Sequence, residues 1–146
     1  MRSPALQTLV TAAEAAFTTH AADAASRRSI ARAFDALKTV RSASRRDAAR
    51  LPVCDLWLEK ALSSADLSGD LRHLADAFLA VETKLCWQPR SGATSNASTD
   101  FPAGHANAIL IGPGGIERRS DVWLGVSLLA PGVRYPDHTH PPEETY

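Results

Sequence analysis

The chain has 146 residues, in which 16 Lys and Arg balance 16 Asp and Glu. That length suffices for one domain with its own core. Without a basic excess, a dedicated nucleic-acid or anionic-membrane binder is disfavoured. No apolar run reaches the roughly 18 residues that suggest a membrane span. Glu14 interrupts the apolar stretch over residues 1–17, so this segment is expected to be a helix of a cytoplasmic protein and not a secretion signal. Cys54 and Cys86 are the two cysteines. Their spacing makes neither a disulfide framework nor a zinc knuckle, so both are expected to be idle or buried thiols.

Residues 1–90 carry helical signals. Ser3-Pro4 is an N-cap followed by proline at the first helical position. Leu6, Leu9, Val10, Ala13 and Phe17 then form one apolar stripe. A second stripe runs through Ile30, Ala33, Phe34 and Leu37. A short third helix containing Trp57 is predicted over residues 55–62. A fourth begins after Gly69, with Asp70 as N-cap and Leu71, Leu74, Phe78, Val81 and Leu85 on one face. Such stripes ordinarily mean core, so this half is expected to be a cap without chemistry of its own.

Residues 91–105 lack a period and read as a loop or linker, which includes the sequon-like Asn96-Ala97-Ser98. From residue 106 the pattern becomes β. The apolar run Ala108-Ile109-Leu110-Ile111 ends at the turn signal Gly112-Pro113-Gly114-Gly115. Val122, Leu124, Val126 and Leu128 alternate as in a strand with one buried face. Pro131-Gly132 turns the chain, and Val133-Arg134-Tyr135 is expected to open a further antiparallel strand. Helices followed by strands predict an α+β chain.

Potential ligands concentrate in residues 132–146. His138 and His140, two apart on a strand, would project to one face and could converge on one ion. Glu144 could return to that ion across a bend made by Pro141-Pro142, since proline donates no ladder hydrogen bond. Glu143 is the alternative carboxylate, but the three-residue spacing from His140 favours Glu144. Two imidazoles and a carboxylate suit Zn, Fe, Mn, Ni or Co without choosing among them. His20, His73 and His105 read as surface or helix histidines. Trp123 could cover a cation, although ordinary packing is the simpler expectation.

A glycine, five residues, His-x-His, three residues and a glutamate over residues 132–144 match the first conserved cupin motif. Further residues narrow the resemblance: Trp87-Gln88-Pro89, Ile111-Gly112-Pro113-Gly114-Gly115, Leu128-Leu129-Ala130-Pro131, and the run from Tyr135 to Tyr146. Together they resemble the cupin-type dimethylsulfoniopropionate (DMSP) lyases. The likeness is sharp over residues 109–146 and diffuse before. Its distinctive part is a tyrosine two residues after the ligand glutamate and another three before the first histidine.

The resemblance implies a helical N-terminal cap followed by the first antiparallel strands of a cupin (double-stranded β-helix) barrel, incomplete because a second motif with a further histidine is missing. It implies a metal-dependent carbon–sulfur lyase that cleaves a sulfonium carboxylate to dimethyl sulfide and acrylate. His140 and Glu144 would be firm ligands and His138 a ligand or near neighbour of the ion. Tyr146 matches the proposed general base and Tyr135 a second active-site tyrosine, which could instead only fill the barrel mouth. The partner is then a small molecule, a sulfonium carboxylate or another small acid, with a homodimer as an option and neither nucleic acid nor membrane involved. The isolated chain is expected to bind metal weakly and to show little or no activity. Alternatives are a cupin isomerase or dioxygenase, or a non-catalytic metal- or ligand-binding regulatory cupin, because fold does not settle function.

Overall fold

The computed structural model describes residues 1–44, 46–64, 66–67, 69–90, 96–139 and 143–146. Four longer helices form where caps and stripes coincide. Helix α1 (Pro4–His20) starts at Ser3, whose hydroxyl accepts from the Leu6 amide at 3.4 Å. Helix α2 (Ala24–Lys38) starts at Asp23, whose carboxylate accepts from the amides of Ala25 and Ser26 at 2.7 and 2.9 Å. Helix α3 (Pro52–Leu62) has proline in its first turn, and α4 is Gly69–Glu82. Asp70 lies inside the first turn of α4, where it accepts a 2.7 Å hydrogen bond from Thr19 Oγ1. A single turn, α5 (Phe101–Gly104), interrupts the predicted linker.

The apolar stripes meet in one core. Leu6, Leu9 and Val10 of α1 join Phe34 and Leu37 of α2, Val53 and Leu58 of α3, and Phe78 and Val81 of α4. The predicted α4 stripe is only partly buried, for Leu71 and Leu74 are half-exposed.

The sheet is β1 (Ser42–Ala43), β2 (His105–Ile111), β3 (Glu117–Arg118) and β4 (Leu124–Leu129), in the order β1-β3-β2-β4. Strands β2 and β4 are antiparallel, as expected; β3 pairs antiparallel with β1 but parallel with β2. Thus the helical half donates a strand to the sheet, which local patterning did not suggest. Strand β2 begins earlier than the apolar run because Ala106 and His105 already pair with Leu128 and Leu129.

Alternation gives the sheet two faces. Ala106, Ala108, Leu110 and Leu128 point into the helical core. His105, Asn107 and Ile109 alternate with them, opposite Leu129, Ser127 and Gly125 of β4, which are exposed. That second face is the open one.

Residues 133–135 form no strand. The Arg134 backbone instead exchanges hydrogen bonds with Ser98: its amide reaches Ser98 Oγ at 2.9 Å and its carbonyl accepts from the Ser98 amide at 3.3 Å. Pro136 follows, with no amide hydrogen to extend a ladder. Among the described residues, no helix is long and apolar enough to cross a membrane.

Candidate active site

The site is built at the His105 end of the open sheet face. Trp87 anchors one side: it is 2 % exposed, stands edge-on to Phe78 at 6.3 Å and donates its indole hydrogen to Glu82 Oε1 at 3.1 Å. Gln88 then exchanges backbone hydrogen bonds of 2.8 and 2.9 Å with Asn107 of β2. This pairing delivers Arg90 to the end of the sheet.

The other side is a fold-back. The Ala130 amide donates to Gly104 O at 2.8 Å, closing residues 130–135 over α5. A Cβ on Gly104 would come within 2.5 Å of Val133 Cγ2, so the close approach needs glycine here. Tyr135 is thereby laid against Phe101 and His105.

The rings form a tight cluster. Phe101 stacks on His105 at 4.7 Å and 16°, and both meet Tyr135 edge-on, at 5.4 and 5.2 Å. On the far side of Tyr135 lies the His138 ring, 5.3 Å away. Arg90 Nη1 donates to the Tyr135 hydroxyl at 2.9 Å, and its guanidinium carbon lies 5.1 Å from the Tyr135 ring centroid. His105 is 1 % exposed. Burial, and then the positive charge of Arg90, hold its imidazole below the ordinary histidine pKa, so it is neutral at pH 7.

The expected ligands stand as follows. His138 is exposed, with Nδ1 3.1 Å from the Pro136 carbonyl oxygen. A proton on Nδ1 would donate to that carbonyl and leave Nε2 as the basic nitrogen, the arrangement by which ligating histidines fix their tautomer. His140 lies outside the described residues, as does the predicted Pro141-Pro142 bend. Glu144 accepts a hydrogen bond from the Tyr146 hydroxyl. That bond and the Glu144 charge push the Tyr146 phenol up to about 12. Glu143, the alternative carboxylate, instead pairs with Arg32 of α2, and Thr145 Oγ1 donates to Ser29 Oγ at 3.3 Å. The tail therefore lies along α2. Among the described residues, no three His, Cys, Asp or Glu come together as a metal cluster.

His105 corrects the sequence reading: it is a buried strand residue, not a surface or helix histidine, because the fold-back covers it. Trp123 is 63 % exposed and lies outside the ring cluster. Arg90 and Phe101 fell in or beside a segment with no period. The one signal near them was the Trp87-Gln88-Pro89 motif. A separate open groove lined by Arg46, Lys84, Cys86 and Ile109 contains none of the expected site residues.

A comparison with curated protein sequences finds no match. A chain from crystal structures of the DMSP lyases RdDddP and RnDddQII superposes with a TM-score of 0.56 at 23% sequence identity. The superposition covers 88% of this chain and 60% of that one, so this chain spans less than two thirds of its length. It shows a shared fold. The family model for dimethylsulfoniopropionate lyase matches residues 25–146. By that match the chain belongs to the DMSP lyase family.

Proposed function

We propose that this chain supplies the active-site face of a metal-dependent lyase that eliminates dimethyl sulfide from DMSP and leaves acrylate. The observation that carries the reading is Tyr135, clamped by Arg90 beside His138, with the hydrogen-bonded pair Tyr146–Glu144 following on the same segment. The donor set fits a divalent ion. His138 has a carbonyl at Nδ1, Glu144 offers a carboxylate, and with His140 these residues would hold Zn, Fe, Mn, Ni or Co. Such an ion would supply Lewis-acid polarisation of the substrate carboxylate.

The chain's own residues account for the remaining chemistry. A tyrosine oxygen takes the proton next to the carboxylate. The C–H electrons form the new double bond, and the C–S electrons leave with neutral dimethyl sulfide, which needs no acid. While Tyr146 donates to Glu144 its proton is held, with the phenol pKa at about 12. Drawing Glu144 into other contacts removes that acceptor and the charge opposing ionisation, which makes Tyr146 usable as a base. Phe101 and His105 exclude water behind Tyr135.

The open sheet face leaves the site uncovered on one side. We therefore expect this chain by itself to hold metal weakly and to turn over slowly or not at all. Metal content and dimethyl sulfide release should be measured on this chain and on a version lengthened by further barrel strands. Release only from the metal-loaded longer form, abolished by Tyr146→Phe, supports the proposal. A longer form that binds metal but releases nothing points to another cupin chemistry.

A further inference from the structure

The last residues of the site are held at two points by a helix that the proposed chemistry does not use. Arg32 of α2 pairs with the Glu143 carboxylate, and Thr145 Oγ1 donates to Ser29 Oγ at 3.3 Å. Ser29 and Arg32 stand at i and i+3 and so share one face of the helix. Between and beyond the two attached residues, Glu144 and Tyr146 bond to each other instead. Alternate residues of the segment thus have different partners: Glu143 and Thr145 go to α2, while Glu144 and Tyr146 form their own pair. The Tyr146 phenol is also within electrostatic reach of Tyr135 and Arg90, which places that pair on the side of the ring cluster. Helix α2 is a firm platform for this, because Ile30, Phe34 and Leu37 anchor it in the core.

The segment offers two neighbouring carboxylates where the ion needs one. We propose that Arg32 and Ser29 are positioning residues that choose between them: by engaging Glu143 and Thr145, α2 withdraws Glu143 from the site and presents Glu144 together with Tyr146. A guanidinium suits the task, since it holds a carboxylate by charge and by directed N–H bonds and does not lose its proton. The Arg32–Glu143 pair is exposed, so each contact alone shifts an equilibrium only a few-fold. Two contacts fix direction as well as place. The segment runs antiparallel to α2, with residue 143 at Arg32 and residue 145 at Ser29. A slip of one residue would give Glu144 to Arg32 and leave Ser29 facing a phenol. The attachment therefore sets which carboxylate is spent on the helix and which is kept for the ion.

The inference rests on the lyase reading for the need of a carboxylate ligand, but its test needs no turnover. Zinc is titrated into this chain and into the longer form by calorimetry. With α2 unaltered, Glu144→Gln should weaken zinc binding about tenfold more than Glu143→Gln does. In the released background Ser29→Ala/Arg32→Met that ratio should shrink to about threefold or less, because Glu143 becomes a substitute ligand. In the metal-free chain, Arg32→Met should abolish the nuclear Overhauser contact between the Thr145 methyl and Ser29, and the exchanged pair Arg32→Glu/Glu143→Arg should restore it. A ratio that is the same in both backgrounds, or a Thr145–Ser29 contact indifferent to Arg32, overturns the positioning role. The expected ratios with no DMSP cleavage by the metal-loaded longer form keep the choice of carboxylate and remove the lyase reading. Cleavage there with equal ratios does the reverse, and no zinc uptake by either form overturns both.

Discussion

Glu117 is the polar keystone between the helices and the sheet, and its replacement by glutamine should be costly. Its carboxylate accepts from Arg2 Nε at 2.7 Å, Arg2 Nη2 at 3.1 Å and the Arg41 amide at 3.1 Å. Arg2 Nη2 also donates to Leu37 O at 2.8 Å, at the end of α2. Both side chains of the pair are 3 % exposed, so solvent screening gives little relief. Burial alone would raise the Glu117 carboxyl, but the hydrogen bonds from Arg2 and Arg41 and the charges of Arg2 and Arg119 bring it below the usual value. Glutamine strands the Arg2 guanidinium, whereas Arg119 keeps Asp121 at 2.7 Å. Breaking a buried pair on one side costs about 3–5 kcal/mol, a large part of a total stability of about 5–15 kcal/mol. At about 2–4 °C per kcal/mol for a chain of this size, Tm should fall by roughly 6–20 °C. The double variant Arg2→Met/Glu117→Leu removes both charges and should recover most of the loss. Thermal unfolding by circular dichroism measures all three proteins. A loss below about 1 kcal/mol for Glu117→Gln, or a double variant no better than the single one, would refute the reasoning. Because the folded pKa of Glu117 is depressed, its contribution is present above the unfolded value and lost as pH falls through the folded one.

Three further outcomes follow from the site. Glu144→Gln removes the charge that opposes Tyr146 ionisation, so the tyrosinate absorbance should titrate nearer the ordinary value of about 10 than the about 12 of the unaltered chain; an unchanged titration would show that Glu144 does not hold that proton. His105 is neutral in the fold and its pKa lies below the ordinary histidine value of about 6.5. Its unfolded form therefore takes up the proton first, stability is full above that value, and it declines as pH falls toward the folded pKa. His105→Phe should flatten this part of the Tm–pH curve, and an unaltered slope would contradict the assignment. Gly104→Ala puts a methyl 2.5 Å from Val133 Cγ2, which should cost about 1–3 kcal/mol in a denaturant melt and loosen Tyr135; a neutral result would mean that the fold-back yields easily.

The helices were legible in the sequence because their causes are local. Ser3 announced the start of α1, proline stands in the first turns of α1 and α3, and spaced apolar residues announced the faces, whereas Asp70, expected as a cap, lies inside the first turn of α4. The family resemblance was legible for a different reason: a linear motif preserves residue type and spacing, and the family model extends over residues 25–146. Tertiary structure decided what depends on distant partners. Ser42–Ala43 becomes a strand only because Glu117–Arg118 offers it an edge. Tyr135 stays out of the sheet because its segment pairs with Ser98, not with a strand. His105 and Arg90 carry no local mark of where they lie; a fold-back over Gly104 buries the one, and the Gln88–Asn107 pairing carries the other to Tyr135. Burial and packing are properties of the folded chain, and they bring an ordinary histidine and arginine together around Tyr135.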